Sequence, residues 1–321
     1  MIVQDLISHK EMNSLVVTGS DSIPVEISRG QVTKRNDMIT TQEEADTIIV
    51  QQVARITDET VIVVADDTDI FLLLLYFCSR GDITCNVLMA SPVSGRAVLD
   101  ISATVQKHKR IITELLQTHE LTGCDTVASC FGIGKVTGLK VLKTGIYRLN
   151  LLGDTESSIS DVEEQAVQFM LACYGQSTCR SLTEARQKMW TVKVGRSKAA
   201  MPALCYLPPT SESFRQNILR AHLQMKIWLN SLESQPPDLD PTSYGWSKDK
   251  GTKALSPTTV AVGVNLVPEE ILKLIKCSCR SDKPCQANRC SCKSAGIACT
   301  VFWVCQSGLL CHNRNTELED N

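Results

Sequence analysis

Two hydrophobic rhythms alternate along the first half of this chain. "LVVT" (15–18) and "VEIS" (25–28) are short β-type runs joined by a Ser/Asp/Pro turn. "EEADTIIVQQVARI" (43–56) places Ile48, Ile49, Val53 and Ile56 on one helical stripe behind an acidic start. "TVIVVA" (60–65) is β-branched and bounded by acids, the pattern of a strand buried on both faces of a parallel sheet. "NVLMA" (86–90) predicts another strand, and "VQKHKRIITELLQTHEL" (105–121) a helix. "GKVTGLKVLKTG" (134–145) predicts a short amphipathic helix entered through a Gly-x-Gly turn. This βαβ rhythm predicts an α/β domain with a mostly parallel central sheet over residues 1–150.

The rhythm then changes. Residues 151–232 read as a helical extension, carried by "DVEEQAVQFMLACYG", "LTEARQKMW" and "ESFRQNILRAHLQMKIWLNSL". A Pro/Asp/Ser-rich stretch within 233–265 reads as a linker. A helix, "VPEEILKLIK", leads into a cysteine-rich module over 266–315, and 316–321 is a tail.

Composition narrows the class. The 321 residues are 43% hydrophobic and 21% charged, ordinary for a globular protein, with a net charge of −2 that selects no partner. No apolar run reaches the length of a membrane span, because Asp66, Asp67 and Asp69 split the longest candidate. The first residues lack the sections of a signal peptide. Seven of the fifteen cysteines are scattered over the first 276 residues and eight crowd between Cys277 and Cys311. Such clustering predicts intracellular metal binding over disulfide stapling.

Acids gather at three predicted element ends. Glu43, Glu44 and Asp46 open a helix, Asp66, Asp67 and Asp69 follow the apolar strand, and Asp125 stands in "LTGCDT". Each has a plain reading: acids at a helix start offset its dipole, Asp69 is a candidate N-cap, and Asp66 and Asp125 are turn residues. Together, at the carboxyl ends of strands, they offer the oxygen ligands that Mg²⁺ or Mn²⁺ prefers. A P-loop is excluded, since Ser129 and Val136 occupy positions where "GIGK" would need Gly and Ser/Thr.

The order "EEAD", "VVADDTD", "LTGCDT…FGIGKVTGLKVL" resembles flap-endonuclease-like members of the PIN superfamily, over roughly residues 40 to 145. The resemblance implies a three-layer PIN-like domain and phosphodiester hydrolysis with Mg²⁺ or Mn²⁺. Its ligand places fall on Glu44, Asp46, Asp67, Asp69 and Asp125. Gly132, Ile133, Gly134 and Lys135 match a helical turn that grips the DNA backbone. Such enzymes begin with a strand ending in a metal-bridging aspartate. Only Asp5, Asp21 and Asp37 precede Glu43, so the chain reads as the C-terminal part of a longer nuclease-like protein.

The cysteines run Cys277, Cys279, Cys285, Cys290, Cys292, Cys299, Cys305 and Cys311, with two Cys-x-Cys pairs suited to sulfurs that bridge two zincs. A short polar segment has no core without metal. The pattern resembles the tesmin-type CXC domain, in which nine cysteines hold three zincs; here Trp303 stands where a ninth is expected. Eight thiolates suit two zincs, or three with a water or His312 completing the set. Lys273, Lys276, Arg280, Lys283, Arg289, Lys293 and Arg314 stand against one acid, Asp282, compatible with phosphate contact and equally with a solvated basic face.

Two functions are therefore expected. The first is a Mg²⁺- or Mn²⁺-dependent, structure-specific endo- or exonuclease acting on DNA. The second is a non-catalytic, zinc-dependent DNA- or chromatin-binding protein whose α/β domain is a relic. The combined resemblance, to transposon-related animal proteins, implies a nuclear location. No membrane partner or small-molecule substrate is evident.

Overall fold

The computed structural model describes residues 14–18, 23–57, 59–196, 204–258, 260, 277–294, 298–299, 305 and 310–313. The chain divides into two compact units, Met1–Val260 and Ala261–Asn321. Unit 1 is mixed α/β with small sheets. The described residues form eight helices in all, seven of them in unit 1.

The first sheet is an antiparallel meander of β1 (Leu15–Val17), β2 (Val25–Ser28) and β3 (Gln31–Lys34). After it, α1 (Ala45–Ala54) leads into the second sheet, ordered β4 (Thr60–Val64), β5 (Asn86–Ala90), β6 (Leu99–Asp100). β4 and β5 pair parallel and β6 pairs antiparallel to β5. The sheet is thus smaller than the sequence rhythm predicts and only one of its pairs is parallel. β4 is an edge strand: Val63 is buried, but Ile62 and Val64 are exposed. They border a groove of about 940 Å³ shared with Ile48 and Ile49 of α1. The strand expected to be buried on both faces is covered on one face only, among the described residues.

α2 (Thr68–Arg80) crosses from β4 to β5 and supplies the centre of the core, with Leu73 and Leu74 fully enclosed. The run "IFLLLLYF" is helical because Asp67 starts it and Gly81, at φ +82°, stops it in the left-handed conformation. α3 (Ile101–Leu121) packs along α2, and non-helical torsions at His108 kink it. Its buried Glu114 receives the Leu149 amide at 2.6 Å and Arg148 Nε at 2.5 Å. α4 (Lys135–Lys143) lies close on α3, where a Cβ at Gly138 would stand 2.8 Å from a Thr122 methyl.

Helices α5 (Ile159–Cys173), α6 (Leu182–Arg196) and α7 (Ser211–Leu229) follow, α7 reaching back to α3. Both Phe214 and Trp228 of α7 are core residues. The stretch expected as a linker is in part folded onto unit 1. Thr41 N–H donates to Ser234 O at 2.9 Å, and Gln42 Nε2 to Asn230 O at 2.8 Å. Farther on, a short 3-10 turn (Pro241–Tyr244) precedes the hairpin β7 (Trp246–Lys248) and β8 (Leu255–Pro257). Buried Arg220 clamps this hairpin by donating to Gly245 O and Thr258 O. Gly245 is required there: its φ is +79°, and a Cβ would stand 2.7 Å from Gln216 O. Composition marked the stretch as turn-rich; it could not reveal that a buried guanidinium needed its carbonyls.

Unit 2 is organised around its cysteines, with one short helix among the described residues, α8 (Ser291–Ser294). The helix expected over "VPEEILKLIK" and the tail 316–321 lie outside the described residues. No helix among the described residues is long and apolar enough to cross a membrane.

Candidate metal centres

The acidic centre forms where α1, the β4–α2 junction and the C-terminal end of α3 meet. Carboxylate oxygens of Asp46, Asp67 and Asp69 lie within 4.8 Å of one another. Three separate devices hold them. Asp46 occupies the first turn of α1. Asp67 is the N-cap of α2 and accepts from the Asp69 amide at 2.8 Å, so capping belongs to Asp67 and not to Asp69. Asp69 Oδ1 lies 2.7 Å from His119 Nε2, on the buried C-terminal part of α3.

The other expected ligands surround this triad without joining it. Glu44 accepts Gln224 Nε2 at 2.9 and 3.0 Å and Trp228 Nε1 at 3.2 Å, both from α7. Asp125 is exposed and acts on Asp46 through its charge. Partial burial, then the charges of Asp67, Asp69, Glu44 and Asp125, push the Asp46 carboxyl up to about 6. A divalent cation among the three oxygens would relieve that repulsion, and a hard ion with oxygen ligands fits the donor set. Asp66 stands apart, paired with Arg96 at 2.9 Å. Asp37 pairs with Arg35 at 2.7 Å, while Asp5 and Asp21 lie outside the described residues.

Behind the triad lies a polar cluster that sequence reading did not anticipate. Glu120 is fully buried and accepts from Cys124 Sγ at 3.0 Å, while its second oxygen has no hydrogen-bond partner. Desolvation, foremost, pushes its carboxyl well above the ordinary range, and the nearby Asp69 charge adds to this. Lys135 donates to His119 O at 2.5 Å and also to Gly123 O. The ammonium expected to face phosphate is therefore turned onto two backbone carbonyls at the end of α3. Gly132 (φ +76°) and Gly134, the N-cap of α4, form an exposed turn around buried Ile133. The signal for His119 and Glu120 was present in "LLQTHEL" only as a helix, because a helix pattern does not say which polar residue turns inward.

The second centre is the cysteine cluster of unit 2. Two overlapping sets each bring four sulfurs within 4.8 Å: Cys277, Cys285, Cys290 and Cys299, and Cys285, Cys299, Cys305 and Cys311. Neighbouring sulfurs stand 3.4 to 4.0 Å apart. The edge of a tetrahedron with Zn–S bonds of ~2.3 Å is ~3.8 Å, so these spacings suit thiolates around zinc and are far too long for disulfides. Cys285 and Cys299 belong to both sets, the arrangement of bridging sulfurs. Neither Cys279 nor Cys292 enters these sets, although Cys292 is fully buried. His312 is exposed and outside both sets, and Trp303 lies outside the described residues.

Around the sulfurs, Arg280, Lys283, Arg289 and Lys293 are exposed, and the first three line a concavity of about 530 Å³ with Asp282. Lys293 Nζ donates to Gln286 O at 2.6 Å. Lys273, Lys276 and Arg314 lie outside the described residues. Comparison with protein-family profiles, with characterised proteins and with solved structures finds no match.

Proposed function

We propose that unit 1 is a divalent-metal-dependent nuclease-like domain of PIN/flap-endonuclease type acting on DNA, and unit 2 a CXC-type zinc module that binds DNA. The observation that carries this reading is the convergence of Asp46, Asp67 and Asp69 from two elements onto one point. A bound Mg²⁺ or Mn²⁺ would supply an activated water and charge stabilisation for phosphodiester displacement. In this reading Asp67 and Asp69 hold the ion at the strand end and Asp46 completes the set. His119 orients Asp69, Gln224 and Trp228 fix Glu44, and Asp125 deepens the negative field. The exposed turn at Gly132 and Gly134 would meet a phosphate through backbone N–H groups.

The test is cleavage of flap, hairpin and linear DNA by the full chain with Mn²⁺. Asp67→Asn/Asp69→Asn should abolish it while leaving the thermal unfolding cooperative. Equal cleavage by the double variant would remove the acidic centre from the mechanism.

A second reading, non-catalytic zinc-dependent DNA or chromatin binding, is favoured by the exposed basic residues around the sulfur cluster. It predicts binding without cleavage. Charge reversal at Arg280, Lys283 and Arg289 should then weaken binding at least tenfold at matched salt and flatten the salt dependence. Unchanged affinity would count against a DNA-binding role for unit 2.

A further inference from the structure

A separate open cavity in unit 1, about 370 Å³, is lined by residues 128–131, Tyr174 after α5, Arg186 of α6 and the first turns of α7. Its volume is in the range of small-ligand sites. The lining contains two arginines and no carboxylate. Arg220, only 6% exposed, donates to Gly245 O at 2.9 Å, Thr258 O at 2.8 Å and Asn217 Oδ1 at 3.2 Å. Arg186 donates to Pro208 O. These acceptors are all neutral, and Arg220 also lies over the Trp246 ring, 5.9 Å from its centroid, so no negative charge offsets either guanidinium. No acid pairs with either arginine among the described residues. Desolvation pulls both guanidinium groups below their ordinary pKa. Uncompensated charge at a partly dry site is costly, and an anion is what would offset it.

Two further features select the kind of anion. Helix α7 begins at this cavity, with Ser213 and Phe214 of its first turn in the lining. Thr210 accepts both of their amides and Glu212 of the same turn is not in the lining, so the turn acts on a ligand through its dipole. A helix start favours negative charge, phosphate above all. At the mouth Phe131 and Tyr206, each about half exposed, stack edge to face with centroids 4.8 Å apart. Exposed aromatic rings beside a cationic cavity suit a nucleobase.

We propose that this cavity binds the phosphate monoester of a nucleotide, with the phosphate toward Arg186 and the first turn of α7 and the base against Phe131. α7 also carries Gln224, which holds Glu44 beside the acidic centre. The seven residue steps from Asn217 to Gln224 rise ~10 Å along the helix, a step of one or two nucleotides. As an anchor for a phosphorylated strand end this rests on the nuclease reading; as a nucleotide site it does not.

The experiment is calorimetric titration of the zinc-loaded full chain, without added Mg²⁺ or Mn²⁺, with deoxyadenosine 5′-monophosphate, deoxyadenosine and inorganic phosphate. The monophosphate should bind, and deoxyadenosine should bind at least tenfold more weakly. Arg186→Gln should weaken the monophosphate by about tenfold or more, the loss of one charged hydrogen bond, and Phe131→Ala severalfold. Asp67→Asn/Asp69→Asn should leave it unchanged, which separates this site from the acidic one. A 5′-phosphorylated oligonucleotide competing better than its unphosphorylated twin identifies a strand end as the source; failure to compete identifies the free nucleotide. Absence of binding by a cooperatively folded chain, or equal affinity in Arg186→Gln, overturns the proposal. Binding without DNA cleavage would instead sink the nuclease reading alone.

Discussion

His119 Nε2 and Asp69 Oδ1 meet at 2.7 Å, joining the end of α3 to the start of α2 across fifty residues of sequence. Both side chains are largely buried, at 9% and 15% exposure, so the contact fixes the Asp69 carboxylate against a wall instead of leaving it to solvent. Trp228 backs the imidazole at 6.5 Å between ring centroids. A carboxylate oriented this way would present its second oxygen to a bound ion at little entropic cost.

Replacing His119 by Ala should therefore weaken Mn²⁺ binding about 10- to 100-fold, the range for loss of a partner behind a metal ligand. His119→Asn, which retains a polar partner, should recover part of it. Mn²⁺ titration followed by electron paramagnetic resonance reads both. Unchanged affinity in His119→Ala would mean that Asp69 is not a ligand.

Asp46 carries the strain of the acidic centre, its carboxyl pushed up to about 6 by burial and four neighbouring acids. At neutral pH its charge costs stability when no cation is present. After discounting for solvent screening, Asp46→Asn should stabilise the metal-free chain by about 1 kcal/mol, a few degrees in Tm. The same substitution should remove most of the stabilisation that Mn²⁺ gives. Thermal melts in EDTA and in excess Mn²⁺ test both halves.

These residues also mark what could be read in advance. Helices α1 and α3 to α7 and the strands β1, β2, β4 and β5 announce themselves through their apolar pattern, whereas the unbroken run "IFLLLLYF" of α2 has no period and was marked only by the acids at its start. β3, with all four residues exposed, and the two-residue β6 leave no such record. Acids at element ends were visible in "EEAD" and "VVADDTD" for the same reason, since a charge beside an apolar run stands out. That Glu44 and Asp125 stay outside the Asp46, Asp67 and Asp69 triad was not visible. Glu44 turns to α7 and Asp66 to Arg96, choices made by residues far away in sequence. That Cys285 and Cys299 belong to both four-sulfur sets was equally hidden, because spacing counts ligands without saying which are shared.

His222 gives unit 1 an acid limit. Its ring is buried, Nδ1 accepts the Gly153 amide at 2.9 Å, and its other charged neighbours are Lys226 and Asp154. Burial first, then Lys226, hold its pKa down to about 4, against a weaker upward pull from Asp154. The unfolded chain binds a proton near pH 6.5 that the folded chain refuses. Stability from this group is thus complete above about pH 6.5 and is lost as pH falls toward 4. The loss should reach about 2 kcal/mol after screening. His222→Gln, which retains an acceptor for Gly153, should flatten that part of the pH dependence in urea titrations. An unchanged slope would assign the acid sensitivity elsewhere.

The sulfur geometry separates shared from single ligands. Cys285 belongs to both four-sulfur sets and Cys279 to neither. Two sets sharing two sulfurs would suit two tetrahedral ions held by six thiolates. Substituting Co²⁺ should therefore give about two ions per chain, each with thiolate charge-transfer absorption. Cys285→Ser removes a ligand from both sets at once and should eliminate most of that absorption, whereas Cys279→Ser should leave it nearly intact. If Cys279→Ser proves as damaging as Cys285→Ser, Cys279 is itself a ligand and the eight-thiolate arrangement replaces the six. Metal content by mass spectrometry of the purified zinc form then decides between two ions and three.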